Sequence, residues 1–428
     1  MTGALARELA QVVPQLADLF AAIGSRTGAE AGITRDAYGA AETAAATLLI
    51  DYAKARGLDA GFDRVGNLNV TAHGCFGRAP EIVIGSHLDS VPLGGNYDGL
   101  AGVVAGIGLL AALSPVDPAA AARVRVIGFR GEESPWFGTA YLGSKLFTGQ
   151  LAREEIESLR RPDTGKTLLE HLASIGVAAA ALDGRPAVPL DRVRAYLELH
   201  IEQGPLLEAL GLPVGVATAI RGNIRHPLAK CFGHYAHSAA VPRELRSDAL
   251  IATAKLIAFA DERWRGEIEA GHPDTVFTCG IFATDAKLHA MTKVPGEVTF
   301  SINIGGTDDA VMGRLHADLM SRAEQLSREH RVRFDFGRKV GTGATPLDAG
   351  IGRMLRDAGA AIGVSPHVMP TVGHDAAMFA RRGIPAGMIL VRNANGSHNA
   401  EEAMSMDDFA TGLRVLIAAV VAIGSAGP

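Results

Sequence analysis

Apolar and polar residues follow one another along the chain in patterns that predict short strands and longer helices. Residues 1–24 carry Arg7, Glu8 and Asp18 within an apolar background, which predicts an amphipathic first helix rather than a signal peptide. Further helices are predicted over 37–56 and 99–113, and strands over 61–70 with a turn at Gly66-Asn67, 81–85, 124–129 and 194–198. This succession predicts an α/β fold.

Three of the predicted strands run into side chains that can bind a metal. Segment 81–85 leads to His87, segment 124–129 leads to the pair Glu132-Glu133, and segment 194–198 ends at His200. In open α/β sheets, sites gather just beyond the carboxyl ends of the strands. The pattern therefore predicts a functional site at that edge of the sheet.

The region from about 223 to 336 has a different order of elements. Its patterns predict β-α-β-β-α-β, with strands over 226–235, 274–282, 296–304 and 332–336 and helices over 246–262 and 310–329. Because His398 must return to the site built by residues 87–200, this unit is predicted to interrupt the first domain. The expected domains are 1–222 with 337–428, and an inserted domain over 223–336.

Composition fits a globular protein with two cores. The chain has 428 residues, of which 48% are apolar and 20% charged, and its net charge is −5. No basic stripe or Lys/Arg-rich amphipathic helix is found, so neither nucleic acid nor a membrane is an expected partner. The apolar runs 99–113 and 416–423 are too short to cross a bilayer. Three widely spaced cysteines argue against a disulfide framework and favour the cytoplasm.

His87 and Asp89 are two residues apart and share one face of an extended chain. One can bind a metal while the other fixes its environment, because metal-bound histidines usually rely on an acceptor behind them. Asp98 stands in a glycine-flanked turn, and its two oxygens could bridge two cations. Taken singly, each motif is more often plain strand-end or turn polarity.

Glu132 and Glu133 are adjacent carboxylates after a buried strand, and they repel each other unless a cation compensates. In an extended chain they point in opposite directions, so one can bind a metal while the other faces the substrate. Glu132 is predicted to be the base that carries a proton from water to the leaving nitrogen, and Glu133 a metal ligand. The alternative is a solvated pair at the start of a loop.

Other histidines extend this set, although a single histidine is more often structural. His200 and His398 complete three imidazoles with His87, and together with the carboxylates they indicate a two-metal hydrolase. His374, next to Asp375, is assigned a structural or supporting role. His237, in the predicted inserted domain, is a candidate donor to a developing oxyanion, with a surface histidine as the alternative.

Six motifs carry a resemblance to a known family: Gly85–Pro92, Gly94–Gly99, Glu132–Ser134, His200–Pro205, Gly373–Ala376 and Ser397–Asn399. Together they resemble the zinc-dependent amidases of the hydantoinase/carbamoylase family, within the dinuclear aminoacylase/carboxypeptidase superfamily. This branch holds N-carbamoyl-L-amino-acid hydrolases, β-ureidopropionases and allantoate amidohydrolases. The match covers nearly the whole chain, and the sequence of 200–205, His-Ile-Glu-Gln-Gly-Pro, is specific to the branch.

The resemblance implies a zinc-exopeptidase-like catalytic domain with a central, mostly parallel sheet, and an inserted α+β lid domain through which such enzymes are often dimers. It also implies that two divalent ions are bound, zinc in first place and manganese, cobalt or nickel as alternatives. The implied site residues are His87 and His200 on one ion, Glu133 and His398 on the other, Asp98 as bridge, Glu132 as base, Asp89 as a further catalytic residue, Gln203 at the substrate, and His237 in the lid.

The chain departs from the family pattern in the lid. The family's His-Ala-Gly-Thr-Thr-Pro-Met is His237–Arg243 here, and Thr292 stands in place of an asparagine. Gly305 occupies the place of the arginine that grips the substrate carboxylate in relatives. Either another arginine replaces it, with Arg221, Arg225 and Arg392 as candidates, or the substrate lacks a carboxylate there.

The expected function is that of a metal-dependent amidohydrolase that uses water to cleave a linear C–N bond of an N-carbamoyl (ureido) amino acid or a related amide. A small-molecule substrate, a homodimer and a cytoplasmic location are expected. The alternatives are an aminoacylase or peptidase, an allantoate amidohydrolase, and a catalytically inactive relative that only binds a ligand. Glu132 argues against the last, because a pure binder needs no base.

Overall fold

The computed structural model describes residues 3–29 and 31–425, and it divides the chain into two compact units. The first unit comprises Met1–Thr218 and Leu347–Pro428, and the second comprises Ala219–Pro346. The second unit is therefore one continuous segment between the two parts of the first. It runs from residue 219 to residue 346, whereas the sequence predicts the inserted domain over 223–336.

Helices and strands follow in this order along the described residues. The α-helices are α1 (Gly3–Thr27), α2 (Ala40–Ala55), α3 (Leu100–Leu113), α4 (Pro118–Ala121), α5 (Leu142–Thr148), α6 (Arg153–Ser158), α7 (Leu168–Ser174), α8 (Leu206–Leu210), α9 (Ala249–Glu269), α10 (Asp309–His330), α11 (Ala349–Ala361), α12 (Ala376–Ala380) and α13 (Met406–Ser425). The strands are β1 (Gly28–Ala29), β2 (Gly32–Ile33), β3 (Asp59–Phe62), β4 (Leu68–Thr71), β5 (Ile82–His87), β6 (Val124–Phe129), β7 (Ala195–Ile201), β8 (Val214–Ile220), β9 (Gly222–Phe232), β10 (Ala236–His237), β11 (Val276–Thr278), β12 (Phe282–Thr284), β13 (Lys293–Val294), β14 (Glu297–Gly306), β15 (Arg333–Asp335), β16 (Val340–Thr342), β17 (Thr345–Pro346), β18 (His367–Thr371), β19 (Ala386–Val391), β20 (Asn393–Ala394) and β21 (Ala403–Met404).

The first unit is built on a mixed sheet with the strand order β8-β19-β7-β5-β6-β4-β3. The central strands β19, β7, β5 and β6 are parallel, and antiparallel neighbours continue the sheet on both sides. The four central strands are buried along their whole length, which explains why most of their residues are apolar. The α/β class is confirmed, and the predicted parallel pairing holds at the centre of the sheet.

Helix α3 lies close against the central strands, and every one of its residues is buried. A Cβ at Gly102 would collide with the carbonyl oxygen of Leu199, and one at Gly106 would collide with Val126. The glycines therefore allow the close packing of helix and sheet. The helix begins at Leu100, which places Asp98 in the turn at its N-terminus.

The core of the first unit is completed by α1, α11 and α13. The ring of Phe20 in α1 contacts Tyr97 and Phe409 edge to face, with centroids 5.3 Å apart in both pairs. The amphipathic first helix predicted from the sequence is thus present as α1. The apolar run 416–423 lies within α13, as predicted.

The second unit has its own antiparallel sheet, in the order β11-β14-β9-β15, with β12 and β16 paired to β14 and β9. Residues of β14 alternate between buried and partly exposed. The buried face, Val298, Phe300, Ile302 and Ile304, packs with α9 and α10 into a separate core. The predicted strand 274–282 consists of two short strands, β11 and β12.

Local contacts explain the form of two predicted elements. The segment 61–70, predicted as a strand with a turn at Gly66-Asn67, is a hairpin of β3 and β4 around that turn, because Gly66 has a φ of 94° and Asp63 Oδ1 accepts hydrogen bonds from the amides of Val65 and Asn67. The helix predicted from residue 37 begins at Ala40, since Tyr38 has a φ of 55°.

Over the described residues, no helix is both long and apolar enough to span a bilayer. The three cysteines, Cys75, Cys231 and Cys279, are free thiols.

Candidate active site

Three parallel strands bring their carboxyl ends to one edge of the first unit's sheet. Strand β5 ends at His87, β6 ends at Phe129 just before Glu132, and β7 carries His200 as its penultimate residue. His87 and Phe129 are register partners. Asp98 joins them from the turn before α3.

Asp98 is the centre of the cluster. Its Oδ1 lies 3.2 Å from His200 Nε2 and 3.4 Å from His87 Nε2, and its Oδ2 lies 3.2 Å from His398 Nε2. His398 Nε2 also lies 3.2 Å from Glu133 Oε1. The five residues predicted as metal ligands are thus brought together around the two oxygens of one carboxylate.

Backbone carbonyls orient two of the imidazoles. His87 Nδ1 lies 3.0 Å from the carbonyl oxygen of Asp89, and His200 Nδ1 lies 2.9 Å from that of Ile201. A carbonyl can only accept, so each Nδ1 carries the hydrogen, and in the neutral ring each Nε2 turns a lone pair to the cluster. The amide of Gly99 donates to His200 Nε2 at 3.2 Å, which agrees with this tautomer.

The cluster has the donor set of a two-metal site. Within the described residues, Asp98 Oδ1 is buried and receives no hydrogen bond, although two imidazole nitrogens, 3.4 Å from each other, lie near it. Lone pairs facing one another in this way need a proton or a cation between them. Imidazole nitrogens and carboxylate oxygens are ligands that zinc takes. The residues therefore fit two divalent cations, one among His87, Asp98 and His200, the other among Asp98, Glu133 and His398.

The pKa shifts show how strongly the cluster attracts positive charge. Burial raises the pKa of Asp98, but its contacts with His200, His398 and His87 outweigh burial and lower that pKa well below its usual range. Hydrogen bonds to Asp98 and Glu133 raise the pKa of His398 to about 10. The carboxylates thus hold protons on the imidazoles, or cations in their place.

Asp89 holds the two glutamates in position. Its Oδ1 accepts a hydrogen bond from the amide of Glu132 at 2.9 Å, and its Oδ2 accepts one from the amide of Glu133 at 3.0 Å. Its Oδ1 lies 3.6 Å from His87 Nδ1, too far for a hydrogen bond. The carbonyl of Asp89 therefore supports His87, while its carboxylate supports the glutamates.

Glu132 has the properties of a base. Together with His87 and Glu133 it forms a buried group whose donor atoms lie within 4.8 Å of one another. Burial raises its pKa well above the usual range, His87 offsets part of the shift, and the neighbouring carboxylates, Glu133 first, add to it. A carboxyl with a raised pKa can take up a proton near neutral pH.

A neighbouring group, Glu198, His200 and His374, also has donor atoms within 4.8 Å of one another. Its carboxylate is engaged inside the protein, because Glu198 accepts hydrogen bonds from three donors, Ser86 Oγ, Tyr196 OH and the amide of Ala376. This group supports β7 behind His200.

Comparison with known proteins agrees with this geometry. The model of Peptidase family M20/M25/M40 matches residues 83–422. The chain belongs to this family. An N-carbamoyl-L-amino acid amidohydrolase of Geobacillus stearothermophilus is 31% identical over 393 residues, 90% of this chain and 92% of that protein.

Two further proteins are similar to the chain. The allantoate amidohydrolase of Escherichia coli (strain K12) is 29% identical over 364 residues, 85% of this chain and 86% of that protein. The solved structure of a hydantoinase/carbamoylase family amidase from Burkholderia multivorans superposes with a TM-score of 0.86 at 26% identity, covering 97% of this chain and 98% of that one. The resemblance predicted from the sequence is confirmed.

Gln203 of this M20/M25/M40 protein lies in the cluster. Its Nε2 donates to Asp98 Oδ2 at 2.8 Å, and its Oε1 is buried with no partner in the described part of the chain. Gln203 and His398 both have positive φ, 65° and 62°. Non-glycine residues in this region cost energy and gather at functional sites. Contact of Gln203 with a substrate stays a prediction.

Arg392, predicted to bind substrate, is engaged elsewhere in the first unit. Its Nε lies 2.8 Å from Asp408 Oδ2, and the second contact, to Oδ1, is 3.1 Å. This bidentate pairing uses the fork of the guanidinium. Contact of Arg392 with a substrate carboxylate stays a prediction, and it would have to use donors that Asp408 does not take.

The remaining predicted residues belong to the second unit. Arg221 donates to the carbonyl of Asp274 at 3.1 Å, and burial lowers its pKa. His237 lies in β10, is exposed, and accepts a hydrogen bond from the amide of Ala239. Their contact with substrate stays a prediction.

The sequence did not point to Glu402, which fixes the Asp98 turn. Its Oε1 accepts hydrogen bonds from the amides of Tyr97 and Asp98 at 2.8 and 3.1 Å. Ser397 Oγ lies 2.6 Å from both Asp98 Oδ2 and Glu402 Oε2. In the sequence, the signal that could have indicated this role is the position of Glu402, an acidic residue four positions after the predicted ligand His398.

Proposed function

We propose that this chain is a metal-dependent amidohydrolase that cleaves a carbon–nitrogen bond of a linear N-carbamoyl (ureido) amino acid or a related amide. The observation that carries the proposal is the convergence of three imidazoles and two carboxylates, with Glu132 beside them. The relatives named N-carbamoyl-L-amino acid amidohydrolase and allantoate amidohydrolase support the same class of reaction.

Two divalent cations are proposed for the cluster, with zinc favoured over manganese, cobalt or nickel. His87 and His200 would hold one, Glu133 and His398 the other, and Asp98 both. When bound, such a pair polarises a carbonyl and lowers the pKa of water.

Glu132 would take the proton of the attacking water on its carboxylate and pass it to the leaving nitrogen, as the C–O bond forms and the C–N bond breaks. Asp89, which binds the amides of both glutamates, keeps this carboxylate in place. Gln203 would orient the substrate with its side-chain amide, and His237 would donate to the developing oxyanion.

The substrate carboxylate is proposed to be held only weakly, through Arg225. This residue is exposed in β9, opposite Asn303 of β14, and its Nε donates to Asn303 Oδ1 at 2.9 Å. Gly305 lies two residues further along β14, on the same face. Arg225 is therefore an arginine on a strand next to the position where relatives carry one, but its Nε is used by Asn303.

A homodimer through the second unit is proposed from its exposed apolar side chains. Met291 is 99% exposed, Leu245 70% and Leu228 65%, values unusual for large apolar residues. The free cysteines support a reducing compartment, and a cytoplasmic location is proposed on that ground.

A substrate screen tests the proposed reaction. Carbamoyl- and acyl-amino acids, allantoate and small amides are incubated with the protein and zinc, manganese or cobalt, and the release of ammonia or free amine is measured. Ammonia from a ureido compound supports the proposal. Cleavage of acyl-amino acids or peptides alone would identify an aminoacylase or peptidase, and no turnover with metal bound would identify a binding protein.

A further inference from the structure

The buried arginine Arg35, between β2 and α2, joins two of the loops that carry the cluster. Its Nε donates to the carbonyl of Leu88 at 2.8 Å, and one terminal nitrogen donates to Asn96 Oδ1 at 3.0 Å. Leu88 directly follows His87, and Asn96 precedes Asp98 by two residues. One planar guanidinium therefore spans the loops of two proposed metal ligands.

The backbone of Arg35 strengthens this connection. Its amide donates to Ser90 Oγ at 2.9 Å, and its carbonyl accepts a hydrogen bond from the amide of Ser90 at 3.0 Å. The segment therefore runs beside the loop His87–Ser90 and is fixed to it independently of the guanidinium.

Seven residues later, Glu42 contacts the third loop. Its Oε1 accepts a hydrogen bond from the amide of Gly131 at 3.1 Å, and its Oε2 pairs with Nε of Arg130. The hydroxyl of Tyr38, in the same segment, donates to the carbonyl of Arg130 at 3.0 Å. These contacts fix the residues that lead into Glu132.

The positive charge of Arg35 lies in the electrostatic field of the cluster's carboxylates. Arg35 is fully buried, and no ion pair joins it to a carboxylate among the described residues. Burial lowers its pKa to about 10, while Glu402, Asp89 and Asp98 oppose that shift. A buried guanidinium is costly unless its donors are used. The N–H groups of Arg35 donate to Leu88 and Asn96, which lie in the loops of the proposed ligands His87 and Asp98. These contacts give Arg35 a positioning role.

We propose that the segment Arg35–Glu42 sets the spacing of the metal ligands, with Arg35 fixing His87 relative to Asp98 and Glu42 placing the Glu132–Glu133 loop. This inference rests on the proposed function, because it requires the cluster to bind cations. Lysine cannot replace Arg35, since a single ammonium on a flexible stem lacks the planar fork that reaches both loops.

Zinc binding by the metal-free protein tests the inference without any substrate. The probe is zinc in competition with a chromogenic chelator, and stoichiometry and affinity are read together. In Arg35→Lys both affinities should fall about 10–100-fold, the usual effect of losing a supporting contact, because Asp98 belongs to both positions. In Glu42→Gln the ion held by Glu133 should be weakened more than the other.

Arg125→Lys is the matched control. Arg125 is also a buried arginine whose guanidinium donates to two carbonyls, those of Phe76 and Arg78, at 2.7 and 2.8 Å. Neither carbonyl belongs to a loop of the cluster. Its loss should cost stability while zinc affinity stays at the wild-type value.

The outcomes separate the two claims. If the wild type binds neither zinc nor manganese, cobalt or nickel, the proposed function fails. If the wild type binds two ions and folded Arg35→Lys binds both with unchanged affinity, the positioning role is overturned. Should Arg35→Lys not fold, Asn96→Leu removes the side-chain acceptor of Arg35 on the Asp98 side and leaves only the longer contact to the backbone carbonyl of Asn96, at 3.4 Å. Unchanged zinc affinity in that variant overturns the positioning role equally.

Discussion

At the scale of single residues, the adjacent glutamates differ in what each one contacts. Glu133 Oε1 lies 3.2 Å from His398 Nε2, whereas Glu132 is buried beside His87 with its pKa raised. Asp89 binds the amides of both. One aspartate therefore positions a proposed ligand and a proposed base together.

Glu132→Gln separates these roles. The amide keeps the size of the side chain but cannot take up a proton, so kcat should fall about 10²–10⁴-fold while metal content and melting temperature are retained. Glu133→Gln is the matched control and should lose one metal ion. Elemental analysis and steady-state kinetics check both variants, and near-normal kcat in Glu132→Gln would remove it from the mechanism.

His398 gives metal binding a pH dependence of defined sign. Hydrogen bonds to Asp98 and Glu133 raise its pKa to about 10, above the value near 6.5 of a free histidine. Its protonated form thus stabilises the metal-free protein below about pH 6.5, and this contribution is lost as the pH rises towards 10.

Metal ions compete with that proton. Zinc affinity of the metal-free protein should therefore rise with pH between about 6.5 and 10, with protons released on binding. Calorimetry in buffers of different ionisation enthalpy measures the release. An affinity that does not change with pH would contradict the assignment of His398.

At the scale of elements, the turn before α3 links fold and site. Gly99 has a φ of 68°, and a Cβ there would collide with the ring of His87. Only glycine lets the turn bring Asp98 close to this imidazole.

Gly99→Ala should therefore cost more than the left-handed conformation alone. Gly57 has a φ of 74°, and a Cβ added to it would meet no atom within 4 Å, so Gly57→Ala is the control for conformation, at about 1–2 kcal/mol. Gly99→Ala should add about 1–3 kcal/mol of overpacking and weaken zinc binding at least about tenfold. Denaturant unfolding and zinc titration measure both, and equal effects of the two substitutions would contradict the steric role.

Elements with continuous apolar runs could be predicted best from the sequence. Strand β6 has the predicted bounds, because a strand buried on both faces is mostly apolar, and in β6 Arg125 is the one charged residue. The turn predicted at Gly66-Asn67 within segment 61–70 is present, and the segment forms a hairpin of β3 and β4 around it. The start of α2 differs from the prediction because the positive φ of Tyr38 has no sequence signal.

At the scale of the whole molecule, the sequence predicts which side chains form the cluster, but it does not predict the contacts that hold those side chains in position. The ligand motifs carry metal-binding side chains at strand ends, so their convergence follows from topology. Arg35, Glu42 and Glu402 act through contacts with residues far away in the chain, which no local pattern records. The ion pair of Arg392 with Asp408 could not be predicted for the same reason.

Substrate preference is a property of the whole molecule. Because Gly305 cannot bind a carboxylate and Arg225 uses its Nε on Asn303, kcat/KM on N-carbamoyl-L-methionine and N-carbamoyl-β-alanine should stay below about 10⁴ M⁻¹s⁻¹. Arg225→Ala should lower it further through KM. Higher values in the wild type would show that the missing arginine is fully compensated.

The central claim is that two cations in this cluster drive C–N hydrolysis. The most direct measurement is ammonia release from the best ureido substrate of the screen while metal-free protein is titrated with zinc, manganese or cobalt. Turnover should be negligible without metal and should rise until two equivalents per chain are bound. Turnover that is unaffected by metal removal, or that is complete without any bound metal, would contradict the claim.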